Sequence, residues 1–233
     1  YFYILKYLFR IFGYSSFILR LFSVLLGVTG VYAIFLLGRE IANKKVGLFA
    51  ALLLCINYYH IHYSQEGRPY AFLVLFSILS FYRLSIFVRV QNTRNAIIYG
   101  VMSALMLYGH PIALFALFAQ YCILLYYFLK LKEKAIRWSF FKFGLLFTIT
   151  TIIIYMPAVP LLLSASKVES FWIELPWSGI FAYILSQFFG SSELVLSLVY
   201  MCLIFFFIRA FNEKEVQPNL PENSQSGYLK AYV

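Results

Sequence analysis

The sequence predicts an all-α, polytopic integral membrane protein with about seven transmembrane helices and one interfacial amphipathic helix. Two compositional figures support this: of 233 residues, 63% are hydrophobic and only 12% are charged. Soluble domains carry roughly 45–50% apolar and about 25% charged residues. Long apolar runs also recur along the chain, with cationic segments between alternate runs. These features exclude a soluble globular domain, which needs a polar surface, and a disordered chain, which lacks apolar residues.

The first predicted element is an amphipathic helix over residues 1–12. Lys6 and Arg10 are four residues apart and therefore share one helix face, while phenylalanines and leucines surround them. This pattern favours a helix that lies in the membrane–water interface on the outer side of the bilayer. The alternative interpretation is the end of a truncated membrane span.

Seven further runs approach the length of about 20 mostly apolar residues that a membrane helix requires. We predict spans at Phe17–Gly38, Val46–Ile61, Tyr70–Val88, Asn95–Tyr108, Pro111–Leu129, Phe143–Leu163 and Glu193–Ile208. The fourth is short, which suggests little tilt or a position beside protein where the bilayer need not be fully crossed.

The connections between these spans fall into two sets by charge. Cations concentrate in residues 38–45, 89–94 and 130–142 and after residue 208. Few cations occur in the alternate connections, at residues 1–16, 60–69, 109–111 and 164–179. The positive-inside rule places the first set in the cytoplasm and the second set on the outer side. The net charge of +10 therefore reflects topology, and nucleic-acid binding, which needs a basic soluble face, is not expected.

The domain organisation follows from the same pattern. We expect residues 1–211 to form the transmembrane domain and residues 212–233 to form a polar cytoplasmic loop or tail, in which Pro218 and Pro221 oppose a helix. The three cysteines lie far apart in apolar runs, without the spacing of a disulfide framework or a zinc site.

The connection between the second and third spans carries the clearest candidate site. Glu66 and Arg68 lie two residues apart at its end, followed by Pro69, which starts the next helix. Arg68 can pair with a phosphate in a bidentate manner. Glu66 can orient Arg68, bind a metal or accept a hydrogen bond from a sugar hydroxyl. The alternative is a wet loop in which the two charges simply neutralise each other.

Two other outer connections hold candidate residues. His110 separates the fourth and fifth spans and can bind an anion or a metal, or merely cap the next helix. Trp172 and Glu174 lie after the sixth span and can contact a sugar or a lipid-linked group. An aromatic belt at headgroup level is the alternative role for Trp172.

The sequence lacks a P-loop and the GxGxxG, HExxH and GxSxG motifs in their structural settings, so a nucleotide-driven mechanism has no support. It also contains no Asp, because all nine acidic residues are Glu.

Several segments follow one another in a characteristic order and spacing. They are Gly13–Gly27, Leu37–Arg39, Gly47–Leu52, Tyr63–Ala71, Tyr108–His110 and Phe171–Ile173 followed by Pro176. Together they resemble bacterial membrane glycosyltransferases of the GT-C class, the relatives of protein O-mannosyltransferases and of the lipid A aminoarabinose transferase. The resemblance covers most of Tyr1–Arg209.

The resemblance implies a multi-pass protein of the bacterial inner membrane with a periplasmic active face. It implies transfer of a hexose or pentose from a polyprenyl-phosphate carrier to a lipid, glycan or protein acceptor. The family's catalytic acid, normally an Asp, precedes an amphipathic helix that resembles Tyr1–Gly13. The resemblance therefore places that residue upstream of Tyr1, and we expect the chain to be a fragment whose own catalytic residue is unknown.

The resemblance assigns donor or substrate binding to the remaining candidates, which are Glu66, Arg68, Tyr70, His110, Trp172 and Glu174. A divalent metal is a candidate cofactor, with Glu66 and His110 as its ligands. Two departures from the family pattern stand out: Gly67 occupies a position where the family commonly has Ala, and Pro111 follows His110 where an aromatic residue is common. A secondary transporter or flippase and a noncatalytic membrane subunit are the alternative functions.

Overall fold

The computed structural model describes residues 1–160, 197, 198 and 201, and the regular elements in that part of the chain are helices. The helices are α1 (Phe2–Phe12), α2 (Ser16–Ile41), α3 (Lys44–Ile56), α4 (Tyr58–Gln65), α5 (Tyr70–Arg89), α6 (Thr93–Gly109), α7 (Ala113–Lys130) and α8 (Lys134–Tyr155), which continues into a 3₁₀ turn at Met156–Ala158. The chain divides into two compact units, Tyr1–Ser178 and Gly179–Val233, and all these helices belong to the first.

Polar residues in the short connections start four of the helices. The side chain of Ser15 accepts a hydrogen bond from the backbone of α2. Asn43, Asn57 and Asn92 do the same for α3, α4 and α6, at 3.0, 2.9 and 2.8 Å. Each side chain satisfies a backbone N–H that the first helical turn leaves unpaired. The caps at Ser15, Asn43 and Asn92 start their helices close to the starts that the apolar runs predict, whereas Asn57 starts a helix inside a predicted span.

The helices confirm a polytopic all-α membrane protein. Four of them, α2, α5, α7 and α8 with its 3₁₀ extension, are long and apolar enough to cross a membrane. Helix α6 has only 17 residues, in keeping with the short fourth run. The seventh predicted span, Glu193–Ile208, lies almost entirely outside the described residues, as does the end of the sixth.

The second predicted span, Val46–Ile61, is bent rather than straight. Helices α3 and α4 meet at an angle of 61° and together form a fifth candidate, either a broken span or a re-entrant loop. Asn57 causes the break, because its side chain caps α4 while its own extended backbone ends α3. Helix α4 is therefore free to lead the chain toward α5 at a different angle.

Small residues allow close contact between the helices, as is common in membranes. A Cβ atom at Gly47 of α3 would lie 2.5 Å from the carbonyl oxygen of Phe35 on α2. A Cβ atom at Gly100 of α6 would lie 2.7 Å from the Thr150 side chain on α8. Both glycines thus set how closely their helices approach.

A buried polar network joins α5, α6 and α7. Gln120 is fully buried, and its Oε1 accepts hydrogen bonds from Ser80 at 3.0 Å and from the Tyr99 hydroxyl at 2.8 Å. The hydroxyls of Ser80 and Ser103 lie 2.8 Å apart. Because a membrane interior offers no water to these groups, the network favours one arrangement of the three helices.

Candidate functional site

The candidate site begins where α4 ends and α5 starts. Glu66 is the C-cap residue that follows α4, Gly67 has a left-handed backbone with φ of 69°, and Pro69 precedes α5. The turn connects the two helices within a few residues, because glycine adopts this φ without steric cost. It therefore holds Glu66 and Arg68 at the mouth between two helices.

Charged side chains converge on this turn. Glu66 Oε2 lies 3.2 Å from Arg68 Nε, and Glu66 Oε1 lies 3.2 Å from Nε2 of His62. The Glu66 side chain is 30% exposed and that of Arg68 is 61% exposed. The predicted Glu66–Arg68 pair is thus present, and its guanidinium remains accessible to an anion. The loop also shows the charge neutralisation that the alternative interpretation requires.

Gly67 fits its position for a second reason. A Cβ atom there would lie 2.5 Å from Cγ of Leu19 on α2. Contacts under 3.0 Å force a neighbour to shift, and Leu19 packs in the apolar cluster around Phe72. The resembled family commonly has alanine at this position. Here the side chain of Leu19 occupies the space that an alanine methyl group would need, which explains the glycine.

Aromatic rings extend from the turn to the α6–α7 junction. The rings of Tyr63 and Tyr70 have centroids 4.5 Å apart, and Tyr70 stacks on His110 at 6.0 Å with an interplanar angle of 26°. Tyr59 continues the row, 4.7 Å from Tyr63. The structure therefore brings Tyr70 and His110 together, beside the turn that carries Glu66 and Arg68.

His110 also has a structural role. Its Nδ1 accepts a hydrogen bond from the backbone N–H of Ile112 at 3.2 Å, and its carbonyl accepts from Ala113 at 3.0 Å. The neutral imidazole therefore carries its proton on Nε2, where it can donate to an anion or a hydroxyl. Capping and ligand binding are compatible at this residue, because they use different ring nitrogens.

Two residues that the sequence analysis did not assign to the site lie beside it, His62 and Tyr1. His62 precedes Glu66 by four residues on α4, a spacing that places both on one helix face. Tyr1 is 7% exposed, and its hydroxyl donates to the Gly67 carbonyl and lies 3.3 Å from Ser23 Oγ. Burial raises the pKa of the Tyr1 phenol, so the hydroxyl keeps its proton and acts as a donor.

His60, at the start of α4, belongs to the helix packing. It is buried, and its Nε2 lies 3.1 Å from the carbonyl oxygen of Gly27 on α2. A Cβ atom at Gly27 would lie 2.2 Å from the Ser64 hydroxyl oxygen. This face of α4 thus anchors the helix to α2, while the opposite end presents Glu66.

Two predicted site residues, Trp172 and Glu174, lie outside the described part of the chain. Within residues 1–160, 197, 198 and 201, no group of three His, Cys or acidic side chains is placed to hold a metal. Glu66 pairs with His62 and Arg68 in this structure. A divalent metal bound by Glu66 and His110 remains a prediction.

The chain matches a known protein family. No curated protein sequence and no solved structure matches the chain significantly. A family model described as dolichyl-phosphate-mannose-protein mannosyltransferase matches residues 1–155. The matched region contains α1 to α8 and, within it, Glu66, Arg68, Tyr70 and His110. Because the match covers more than half of the 233 residues, the chain belongs to the dolichyl-phosphate-mannose-protein mannosyltransferase family of GT-C-type membrane glycosyltransferases.

Proposed function

We propose that the protein transfers a sugar from a polyprenyl-phosphate donor to a lipid, glycan or protein acceptor on the periplasmic side of a bacterial inner membrane. The observation that carries the proposal is the Arg68 side chain, which is 61% exposed and held by Glu66 at the mouth between α4 and α5. A carrier lipid with its phosphate at headgroup level can reach such a mouth from the bilayer. Membership of the family supports glycosyl transfer.

The charge pattern along the chain supports a periplasmic position of the Glu66–Arg68 turn. Cations concentrate at the ends of α2 and α5 that lie opposite the site, where Arg89 pairs with Glu40. The positive-inside rule assigns those ends to the cytoplasm. The Glu66–Arg68 turn then faces the periplasm, where a lipid-linked sugar is a suitable donor because nucleotide sugars are cytoplasmic.

In the proposed reaction, an acceptor hydroxyl oxygen attacks the anomeric carbon of the donor sugar. The bond between that carbon and the phosphate oxygen breaks, and the lipid phosphate leaves with the bonding electron pair. A general base, which the resemblance implies is a carboxylate, takes the hydroxyl proton. Arg68 stabilises the negative charge that develops on the departing phosphate, a contribution worth about 10²- to 10³-fold in rate.

The other residues take supporting roles. Glu66 orients the Arg68 guanidinium through the 3.2 Å contact. Tyr70 and His110 form a stacked pair beside it, in which His110 Nε2 is the available donor. Trp172 and Glu174 stay candidates for sugar contacts, and a divalent metal at Glu66 and His110 would supply further positive charge.

The alternative functions place charge differently. A secondary transporter or flippase typically carries ionisable groups near the membrane midplane. In the described part of the chain, the polar residues buried between α5, α6 and α7 are uncharged, and the ion pairs lie at helix ends. This distribution, together with the family, favours the enzyme over the transporter and over a noncatalytic subunit.

The test measures sugar transfer by the full-length protein in proteoliposomes, with a panel of polyprenyl-phosphate-linked hexoses and pentoses. Arg68→Gln is expected to lower kcat/KM by about 100-fold or more. Arg89→Gln is the matched control, because Arg89 also pairs with a glutamate but at the opposite end of α5. Equal activity of Arg68→Gln and wild type would remove Arg68 from the mechanism, and substrate-dependent uptake without transfer would favour a transporter.

A further inference from the structure

Helix α1 contacts the Glu66–Arg68 turn through Tyr1. The Tyr1 ring packs against Phe22 of α2 and Phe72 of α5, with centroids 5.7 and 6.4 Å away. Its hydroxyl reaches past them to the Gly67 carbonyl. A buried tyrosine at the N-terminal end of α1 therefore contacts the backbone of the residue between Glu66 and Arg68.

We infer that Tyr1 is a positioning residue for Arg68, which acts through the Gly67 carbonyl to set the conformation of the donor-binding turn. The inference rests on the proposed function for the identity of the ligand, a lipid phosphate. The hydrogen bond from the Tyr1 hydroxyl to the Gly67 carbonyl, called the clasp below, is seen in the structure and does not depend on the proposed function.

The surroundings of Gly67 explain why one hydrogen bond matters there. The residue has a left-handed φ of 69°, and Leu19 closes the space where a side chain would lie. The peptide carbonyl of Gly67 is directly bonded to the nitrogen of Arg68, so rotation of that peptide redirects the Arg68 side chain. Tyr1 restrains this rotation, because its ring is packed in an apolar cluster with Leu5 and Phe72.

The contact joins residues that lie far apart in the sequence. Tyr1, the N-cap residue of α1, lies 66 positions before Gly67. The hydrogen bond therefore ties the start of α1 to the turn between α4 and α5.

The first experiment tests the clasp without any assay of activity. Amide hydrogen exchange in residues 62–72 is compared between the full-length wild type, Tyr1→Phe and Tyr3→Phe. Tyr1→Phe keeps the packed ring and removes only the hydroxyl, whereas Tyr3 lies on the same helix and is 77% exposed. We expect faster exchange at the turn in Tyr1→Phe alone, and unchanged exchange in that variant would overturn the inference.

The second experiment tests whether Tyr1 acts through Arg68. Binding of a sugar-free polyprenyl phosphate is measured in lipid nanodiscs for Tyr1→Phe, Arg68→Gln and the double variant. Tyr1→Phe is expected to raise Kd by about 3- to 10-fold, the equivalent of one hydrogen bond. The increase should disappear in the Arg68→Gln background.

The outcomes distinguish a failure of the positioning role of Tyr1 from a failure of the proposed function. An equal effect of Tyr1→Phe with and without Arg68 would show that Tyr1 acts elsewhere, which overturns the positioning role. A wild-type protein that binds no polyprenyl phosphate would contradict the proposed function, while the exchange experiment would still decide the clasp.

Discussion

Replacement of Gly67 by alanine is expected to displace Arg68 without touching any charged group. A non-glycine residue in the left-handed region costs about 1–2 kcal/mol. The new Cβ would also lie 2.5 Å from Leu19 Cγ and 2.8 Å from Leu19 Cδ2, and such overpacking costs about 1–3 kcal/mol. The turn can escape both costs only by moving, so the total of about 2–5 kcal/mol works against the conformation that holds Arg68.

The assay is the affinity of full-length Gly67→Ala for polyprenyl phosphate. A hydrogen bond to a charged group contributes about 1.5–3 kcal/mol, so its loss raises Kd by about 10- to 100-fold. Leu19→Ala provides the control, because it removes the atoms that collide with the new methyl group. The double variant Leu19→Ala/Gly67→Ala should recover the part of the loss that comes from overpacking and retain the part that comes from φ.

Wild-type affinity in Gly67→Ala would refute the reasoning, since the turn would then tolerate a side chain that the geometry excludes. Affinities of the two single variants that simply add in the double variant would also refute it, because residues in direct contact should be coupled.

Three further predictions concern the scaffold and its orientation. Gln120→Ala should lower the free energy of unfolding of the purified protein by about 1–3 kcal/mol, because the buried hydroxyls of Ser80 and Tyr99 lose their acceptor. An unchanged melting temperature would show that the network does not stabilise the fold. Gly47→Ala should destabilise by about 1–3 kcal/mol through overpacking, whereas Gly144→Ala, with no atom within 4 Å of its new Cβ, should be neutral or stabilising in the same melts. In a chain without native cysteines, Gln65→Cys should react with an impermeant maleimide added outside intact cells and Lys132→Cys only after permeabilisation; the reverse pattern would invert the topology.

The helices could be predicted from the sequence because the bilayer imposes a minimum length on apolar runs. The predicted run at residues 46–61 was continuous, however, and the structure bends it at Asn57. A single polar residue within an apolar run is also common in straight spans, so only the cap hydrogen bond to His60 identifies the break. Composition thus predicts which residues form helices but not the angle between two short ones.

The candidate site was predictable only where its partners are close in sequence. The Glu66–Arg68 pair follows from two opposite charges two residues apart, and His62 could have been added from its spacing of four residues before Glu66. The contact of Tyr1 with Gly67 joins residues 66 positions apart. No local pattern encodes such a pairing, because it depends on how α1, α2 and α5 pack.

The most direct test of the central claim locates the donor phosphate. A polyprenyl phosphate with a photoreactive group beside its phosphate is cross-linked to the full-length protein in nanodiscs, and the modified peptides are identified by mass spectrometry. Labelling is expected within residues 62–70 and 108–112, where unlabelled polyprenyl phosphate should compete with it and Arg68→Gln should weaken it. Competed labelling at the opposite helix ends, near Glu40 and Arg89, would contradict the central claim.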